Sequence, residues 1–239
     1  MAAVALALAG SAHAEPDAGV FTLAARPSEL VDAATAASYA SILDPQQTIE
    51  WDVYAPADAD APVGVVVWIS PRDDGLPPDD WRPVLDAHKL LWISARHSGN
   101  DAPVARRVLY ALLALRELAR ETEIDWANVY VAGFSGGGHS ASNAAALFPL
   151  VFKGAIYMCG ADYRPRDPAL IAQMRANRFV FLTGAADPNN EETRSTFDYY
   201  RAAGVPETQL SLMEIPNLGH RMPRARDFDR ALRFLEADR

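Results

Sequence analysis

Short apolar runs alternate with amphipathic stretches along most of this chain, and that alternation sets the expected fold. The runs Thr48–Tyr54, Gly64–Ser70, Leu90–Ala95, Asn128–Gly133, Lys153–Cys159, Phe179–Thr183 and Gln209–Ile215 have strand length and β-rich composition. Several are apolar throughout, as in Val65-Val-Val-Trp-Ile69 and Phe179-Val-Phe-Leu182, which is the pattern of strands covered on both faces. Between them lie stretches of helical period. The clearest is Val104–Glu121, with Val108, Leu109, Leu112, Leu115 and Leu118 on one stripe. Gly137–Leu147, Pro168–Arg175, Glu191–Ala203 and Ala225–Ala237 are the others. Strand-helix alternation at this spacing predicts right-handed βαβ units and an α/β protein, a three-layer αβα sandwich on a mostly parallel sheet.

Two departures from strict alternation refine this. No clear helix separates the early runs near Val20–Leu23 and Thr48–Tyr54, so they are expected as an antiparallel edge. Gly160–Arg178 holds one helix and two loops and nothing larger, so no cap domain is expected there and the carboxyl edge of the sheet should be open. Pro56–Pro62 and Pro71–Asp80 read as surface loops.

Composition narrows the function classes. The 239 residues are 50% hydrophobic and 22% charged, ordinary for a globular chain. The net charge of −9 argues against nucleic acid and anionic membranes as partners. At the N-terminus, Val4–Ala9 forms a short apolar core and Ala12-His13-Ala14 fits a small-x-small cleavage site. Residues 1–14 are therefore expected to be an export signal, with a single domain over 15–239. That apolar run is too short to span a bilayer, and no membrane insertion is expected. Cys159 is the only cysteine, in the apolar stretch Ala155-Ile-Tyr-Met-Cys159, and is expected to be a buried inert thiol. No histidine, cysteine or acidic cluster has metal-ligand spacing, so neither metal nor cofactor is expected.

The chemistry points to one serine. In Val129-Tyr-Val-Ala-Gly-Phe-Ser-Gly-Gly-Gly-His-Ser140 an apolar strand stops at Ser135 and a small-residue helix follows. Gly133-Phe-Ser-Gly-Gly137 matches G-x-S-x-G in the context the motif requires, a sharp strand-to-helix turn that thrusts the hydroxyl out. Gly133 and Gly137 remove the β-carbons that such a turn would crowd. Ala141, Ala144, Ala145 and Ala146 keep the helix thin. The Gly136 N–H, at the helix start, would face an oxyanion formed at Ser135.

A serine hydroxyl needs a base. Of five histidines, His13 falls in the signal and His88 in a helix-to-strand connection, while His97 precedes the serine. His139 lies one helical turn past Ser135 and is expected to pack on that helix. His220, in Ile215-Pro-Asn-Leu-Gly-His-Arg-Met-Pro223 just past the last strand, is expected to be the base. The acid should follow a strand between Ser135 and His220. Asp187, leaving Phe179–Thr183 on a turn, is favoured, with Asp162 as the rival.

Together these residues resemble the α/β-hydrolase superfamily, and within it the exported esterases related to polyhydroxybutyrate depolymerases and feruloyl esterases. The resemblance runs from about Thr48 to the end. It is densest in the run from Ile124 to Gly138, with Leu147-Phe-Pro149 and Phe152-Lys-Gly-Ala-Ile156 downstream. It implies an α/β-hydrolase fold, Ser135 as nucleophile, Asp187 as acid, His220 as base, and a small-molecule or polymeric ester as substrate. One departure stands out. Where the family has His-Gly after the third strand, this chain has Ser70-Pro71-Arg72, and Pro71 carries no N–H. The resemblance then makes Arg72 N–H the second oxyanion donor beside Gly136. A non-catalytic binding protein on the same fold, and a peptidase or amidase on the same triad, are the competing readings. Trp68 and Trp92 are expected in the core, and Trp81, after the acidic loop, is expected to rim the site.

Overall fold

A computed structural model of the protein describes residues 19–58 and 61–237; the expected export segment, residues 1–14, lies outside them. Eight strands form one sheet in the order β1-β2-β4-β3-β5-β6-β7-β8. They are β1 (Gly19–Ala25), β2 (Ile49–Ala55), β3 (Val63–Ile69), β4 (Leu90–Ala95), β5 (Ile124–Phe134), β6 (Gly154–Met158), β7 (Arg178–Thr183) and β8 (Leu210–Glu214). From β4 and β3 through to β8 neighbouring strands are parallel, while β2 runs antiparallel to both β1 and β4. The antiparallel edge expected from the missing early helix is thus present. Two short helices that the periodicity did not announce, α1 (Pro27–Leu30) and α2 (Ala33–Ser38), follow β1. At four and six residues they are too short for an apolar stripe, and α2 is started by Asp32, whose carboxylate accepts the Thr35 N–H at 2.9 Å.

The remaining helices, α3 (Arg82–His88), α4 (Val104–Glu121), α5 (Gly136–Leu147), α6 (Pro168–Met174), α7 (Asn190–Ala202) and α8 (Ala225–Glu236), cover both faces of the sheet. On one side α4, α5 and α7 seal a core that includes Val65, Val67, Val129, Val131, Ala155 and Phe179. On the other, α3 and α8 seal Val66, Tyr130, Ile156, Val180 and Leu182. Alternate residues of β3 and β5 therefore serve opposite cores, which is why those runs carry no polar alternation. In α4 the buried stripe is centred on Val108, Ala111, Leu115 and Leu118, with Leu109 and Leu112 on its half-buried margin. In α5, Ala141, Ala144, Ala145 and Ala146 are almost fully buried, so small side chains let that helix lie close on the sheet.

Trp81 departs from expectation. It is 1% exposed and stacks on Phe228 at 4.1 Å between ring centroids, with Trp68 and Trp92 edge-on beside it. It is core of the α3–α8 side, not rim of the site, because three indoles and Phe228 converge where the turn before α3 crosses the sheet. The β6–β7 connection carries α6 and no further helix or strand, so no cap covers the carboxyl edge there.

His88 ties α3 to α8. Its Nδ1 lies 2.6 Å from Glu236 Oε2 and its Nε2 2.9 Å from Asp229 Oδ1. Burial pushes its pKa down, but the two carboxylates overrule that and hold it above the ordinary 6.5. The stability this contributes is fully present below pH 6.5 and is lost as pH rises through the raised folded value. His88→Gln is expected to cost about 1–3 kcal/mol at pH 6. The gap from wild type should shrink on the alkaline side of that window, as urea denaturation at pH 6 and pH 9 would measure.

Candidate active site

The turn between β5 and α5 is strained, and it bears a reactive group. Ser135 has φ 56° and ψ −125°, a conformation side chains rarely adopt. Its neighbours make the turn possible. A β-carbon on Gly137 would lie 2.0 Å from the Ile69 carbonyl oxygen, and one on Gly133 would lie 2.3 Å from the Gly137 carbonyl oxygen. The Ser135 N–H is held by the Met158 carbonyl at 2.8 Å, and its own carbonyl accepts from His139 N–H at 3.1 Å. Gly137→Ala is therefore expected to destabilise the fold by about 3 kcal/mol, the upper end for an inserted methyl, since backbone must move to admit it. A urea melt against wild type measures this.

Three loops at the carboxyl edge bring three side chains into one line. Ser135 Oγ lies 2.7 Å from His220 Nε2, and His220 Nδ1 lies 2.8 Å from Asp187 Oδ1. The Asp187 carboxylate accepts from Nδ1–H, so Nε2 is left as the acceptor for the serine proton. The loop bearing Asp187 and the loop bearing His220 are packed backbone to backbone: a β-carbon on Gly184 would meet the Leu218 carbonyl oxygen at 2.2 Å. The His220 ring sits beside Phe134 at 5.1 Å and is about one-third exposed, whereas the Asp187 side chain is fully buried.

Electrostatics keep that acid ionised. Burial pushes the Asp187 carboxyl up, but hydrogen bonds from the Cys159 thiol, His220, the Asn189 N–H at 3.1 Å and the Thr183 hydroxyl at 3.1 Å together hold it below 3.8. Cys159 is buried as expected, yet it is not a bystander. Its Sγ, an Asp187 carboxylate oxygen and a His220 ring nitrogen all lie within 4.8 Å of one another. Burial raises the Cys159 thiol far above its ordinary value, and the Asp187 carboxylate adds to this, so the sulfur stays a protonated donor.

The other candidates fall elsewhere. Asp162 accepts from Ser142 Oγ at 3.4 Å and has no link to His220. His139 pairs with Glu192 at 2.5 Å on the flank of α5. His97, with φ 51°, ties its N–H to the Asp73 carbonyl at 3.0 Å. Gly136 opens α5, where its N–H has no partner within the helix. The Arg72 N–H donates to Ser70 Oγ at 3.1 Å, and the Arg72 side chain reaches outward to Asp74 at 3.2 Å.

One residue beside the site escaped sequence reasoning. Arg107 of α4 is 3% exposed and donates to the Gly136 carbonyl at 2.9 Å and the Ser70 carbonyl at 2.6 Å. Burial lowers its pKa to about 10, which leaves the guanidinium protonated at neutral pH. A signal for it was present, since Arg107 lies on the same face as Ala111, Ala114 and Leu118, at apolar positions of the helical period.

No family model matches the sequence, and no curated protein matches it. Solved structures do. A thermostable esterase is 18% identical over 72% of this chain, with a TM-score of 0.55, and the chain spans about half of it, 52%. An α/β-hydrolase enzyme from the metagenome of Lake Arreo, Spain, is 14% identical, with a TM-score of 0.61 over 92% of this chain and 83% of its own. The feruloyl esterase module from Clostridium thermocellum, complexed with sinapinate, is 11% identical, with a TM-score of 0.62 over 80% of this chain and 84% of its own. Likeness at such low identity speaks to architecture, and with the strand order and the strand-to-helix turn at Ser135 it establishes that this chain has the α/β-hydrolase fold.

Proposed function

We propose that the protein is a serine esterase that cleaves carboxylic esters through an acyl-enzyme. The observation that carries this is the unbroken chain from Ser135 Oγ through the His220 ring to Asp187, at 2.7 Å and 2.8 Å, with the serine on a strained turn. In the reaction, Ser135 Oγ attacks the ester carbonyl carbon while its proton passes to His220 Nε2. The carbonyl oxygen, now negative, lies against the Gly136 N–H at the start of α5. His220 returns the proton to the departing alkoxide, and the acyl group stays on Ser135. Water then attacks the acyl carbon, giving its proton to His220, and the acid leaves as the serine takes that proton back. Asp187, held ionised by its four donors, stabilises the imidazolium at each stage.

Two features bear on substrate. The β6–β7 connection holds α6 alone, so the carboxyl edge there has room for a bulky or polymeric ester. The likeness to a feruloyl esterase module makes hydroxycinnamoyl esters a reasonable part of the first panel. The test combines hydrolysis of p-nitrophenyl acetate and butyrate with labelling of Ser135 by a fluorophosphonate. Turnover with labelling supports the reading. A protein that is inert to the panel and unlabelled is a binding protein on a hydrolase fold.

A further inference from the structure

We infer that Arg107 is a positioning residue of the oxyanion site, fixing the Gly136 peptide and the Ser70–Pro71 turn against each other from inside the protein. This rests on the serine-esterase reading above. The Gly136 peptide carries the N–H that faces the carbonyl oxygen in that reading, and the Ser70–Pro71 turn abuts the same end of α5, the absent β-carbon of Gly137 lying 3.4 Å from the Pro71 nitrogen. Among the described residues no backbone hydrogen bond links Ser70–Arg72 to the start of α5; the guanidinium does, at 2.6 Å to the Ser70 carbonyl and 2.9 Å to the Gly136 carbonyl.

The local chemistry explains why a bridge is required. Pro71 has no N–H, its carbonyl accepts from the Asn100 N–H at 3.0 Å, and the Arg72 N–H is turned onto the Ser70 hydroxyl, so none of these backbone groups bonds to α5. The contact is also close: the absent β-carbon of Gly137 would lie 2.0 Å from the Ile69 carbonyl oxygen, so a small shift of α5 moves the Gly136 N–H. A single oxyanion donor displaced by a fraction of an ångström loses much of its effect.

Cost points the same way. Arg107 is 3% exposed, pairs with no carboxylate among the described residues, and leaves its Nε without a partner. A buried cation without a counter-ion destabilises, and a methionine would fill the same apolar stripe of α4 without that cost. A residue kept against local stability, in contact with a reactive turn, fits a functional role. The planar fork of a guanidinium spans the two carbonyls from two separate nitrogens in fixed geometry, Nη1 to Gly136 and Nη2 to Ser70, whereas an ammonium must serve both from one nitrogen on a flexible stem.

The experiment compares wild type, Arg107→Met and Arg107→Lys on p-nitrophenyl butyrate, together with inhibition by an alkylboronic acid, which forms a tetrahedral adduct on an activated serine. Arg107→Met is expected to lower kcat by about 10²-fold with KM changed less than about threefold, and to weaken boronic-acid binding by a similar factor. Arg107→Lys is expected to lose about tenfold. If Arg107→Met does not fold, by circular dichroism, the lysine variant decides. A folded variant within about threefold of wild type in both kcat and boronic-acid affinity overturns the positioning role. Wild type inert to esters and to the boronic acid overturns instead the esterase reading on which the role depends.

Discussion

Ser135→Ala is expected to lower kcat on p-nitrophenyl butyrate by about 10⁶-fold, and His220→Ala to lower it about as much. The double variant should be no worse than either single one. The reason is the chain of contacts. With Ser135 Oγ 2.7 Å from His220 Nε2, neither group does its work without the other, so the first loss already removes the unit. Stability should change little in Ser135→Ala. The hydroxyl is partly exposed and the strained backbone is shared by both residues, so the melting temperature should stay within a few degrees. Steady-state kinetics on purified variants, with thermal melts as the folding control, measure both. Comparable loss in single and double variants fits a concerted pair; additive losses would mean that serine and histidine act separately.

Asp187→Asn is expected to lower kcat by about 10⁴-fold while leaving the serine in place. An amide can present an N–H to His220 Nδ1, which drives the ring into the tautomer whose Nε2 carries the proton and cannot accept one from Ser135. The charge that stabilises the imidazolium also disappears. A structural penalty accompanies this. The carboxylate takes hydrogen bonds from Cys159, His220, the Asn189 N–H and Thr183, and an amide nitrogen placed among those donors leaves at least one unpaired. That costs about 1–3 kcal/mol. The pH signature follows in sign. The folded pKa of Asp187 is depressed below 3.8, so its stabilising contribution is fully present above that value and is lost as pH falls through the folded value. Melting curves between pH 5 and pH 2 should therefore fall more steeply in wild type than in Asp187→Asn.

Several of these contacts were legible in the sequence and others were not, for physical reasons. The turn at Ser135 was legible because its causes are local. Val129–Ala132 ends a strand, Gly133 and Gly137 clear space two residues either side, and small residues follow. The α/β architecture was legible for the same reason, in the alternation of strand and helix periods. The sequence favoured Asp187 over Asp162 but left Asp162 as a rival, since each follows a parallel strand. What separates them is the backbone contact of Gly184 with Leu218, which brings the Asp187 loop under His220, while Asp162 turns to Ser142. Trp81 was misplaced because the acidic residues before it mark a surface loop, whereas the indole faces back into a cluster built by Trp68, Trp92 and Phe228 from three other elements. Arg107 was visible only as an interruption of an apolar stripe, and its meaning depends on two carbonyls distant in the chain.

The base of the proposed triad is delivered by the loop after β8, and β8 is the last strand of the sheet, bonded to β7 alone. The nucleophile, by contrast, sits at the end of β5, which is flanked on both sides. Partial opening that starts at this border strand would therefore carry the imidazole away while the hydroxyl is still seated. On the proposed function, turnover is thus a gauge of this border strand, and it should fade under mild stress before bulk spectroscopic signals register any melting.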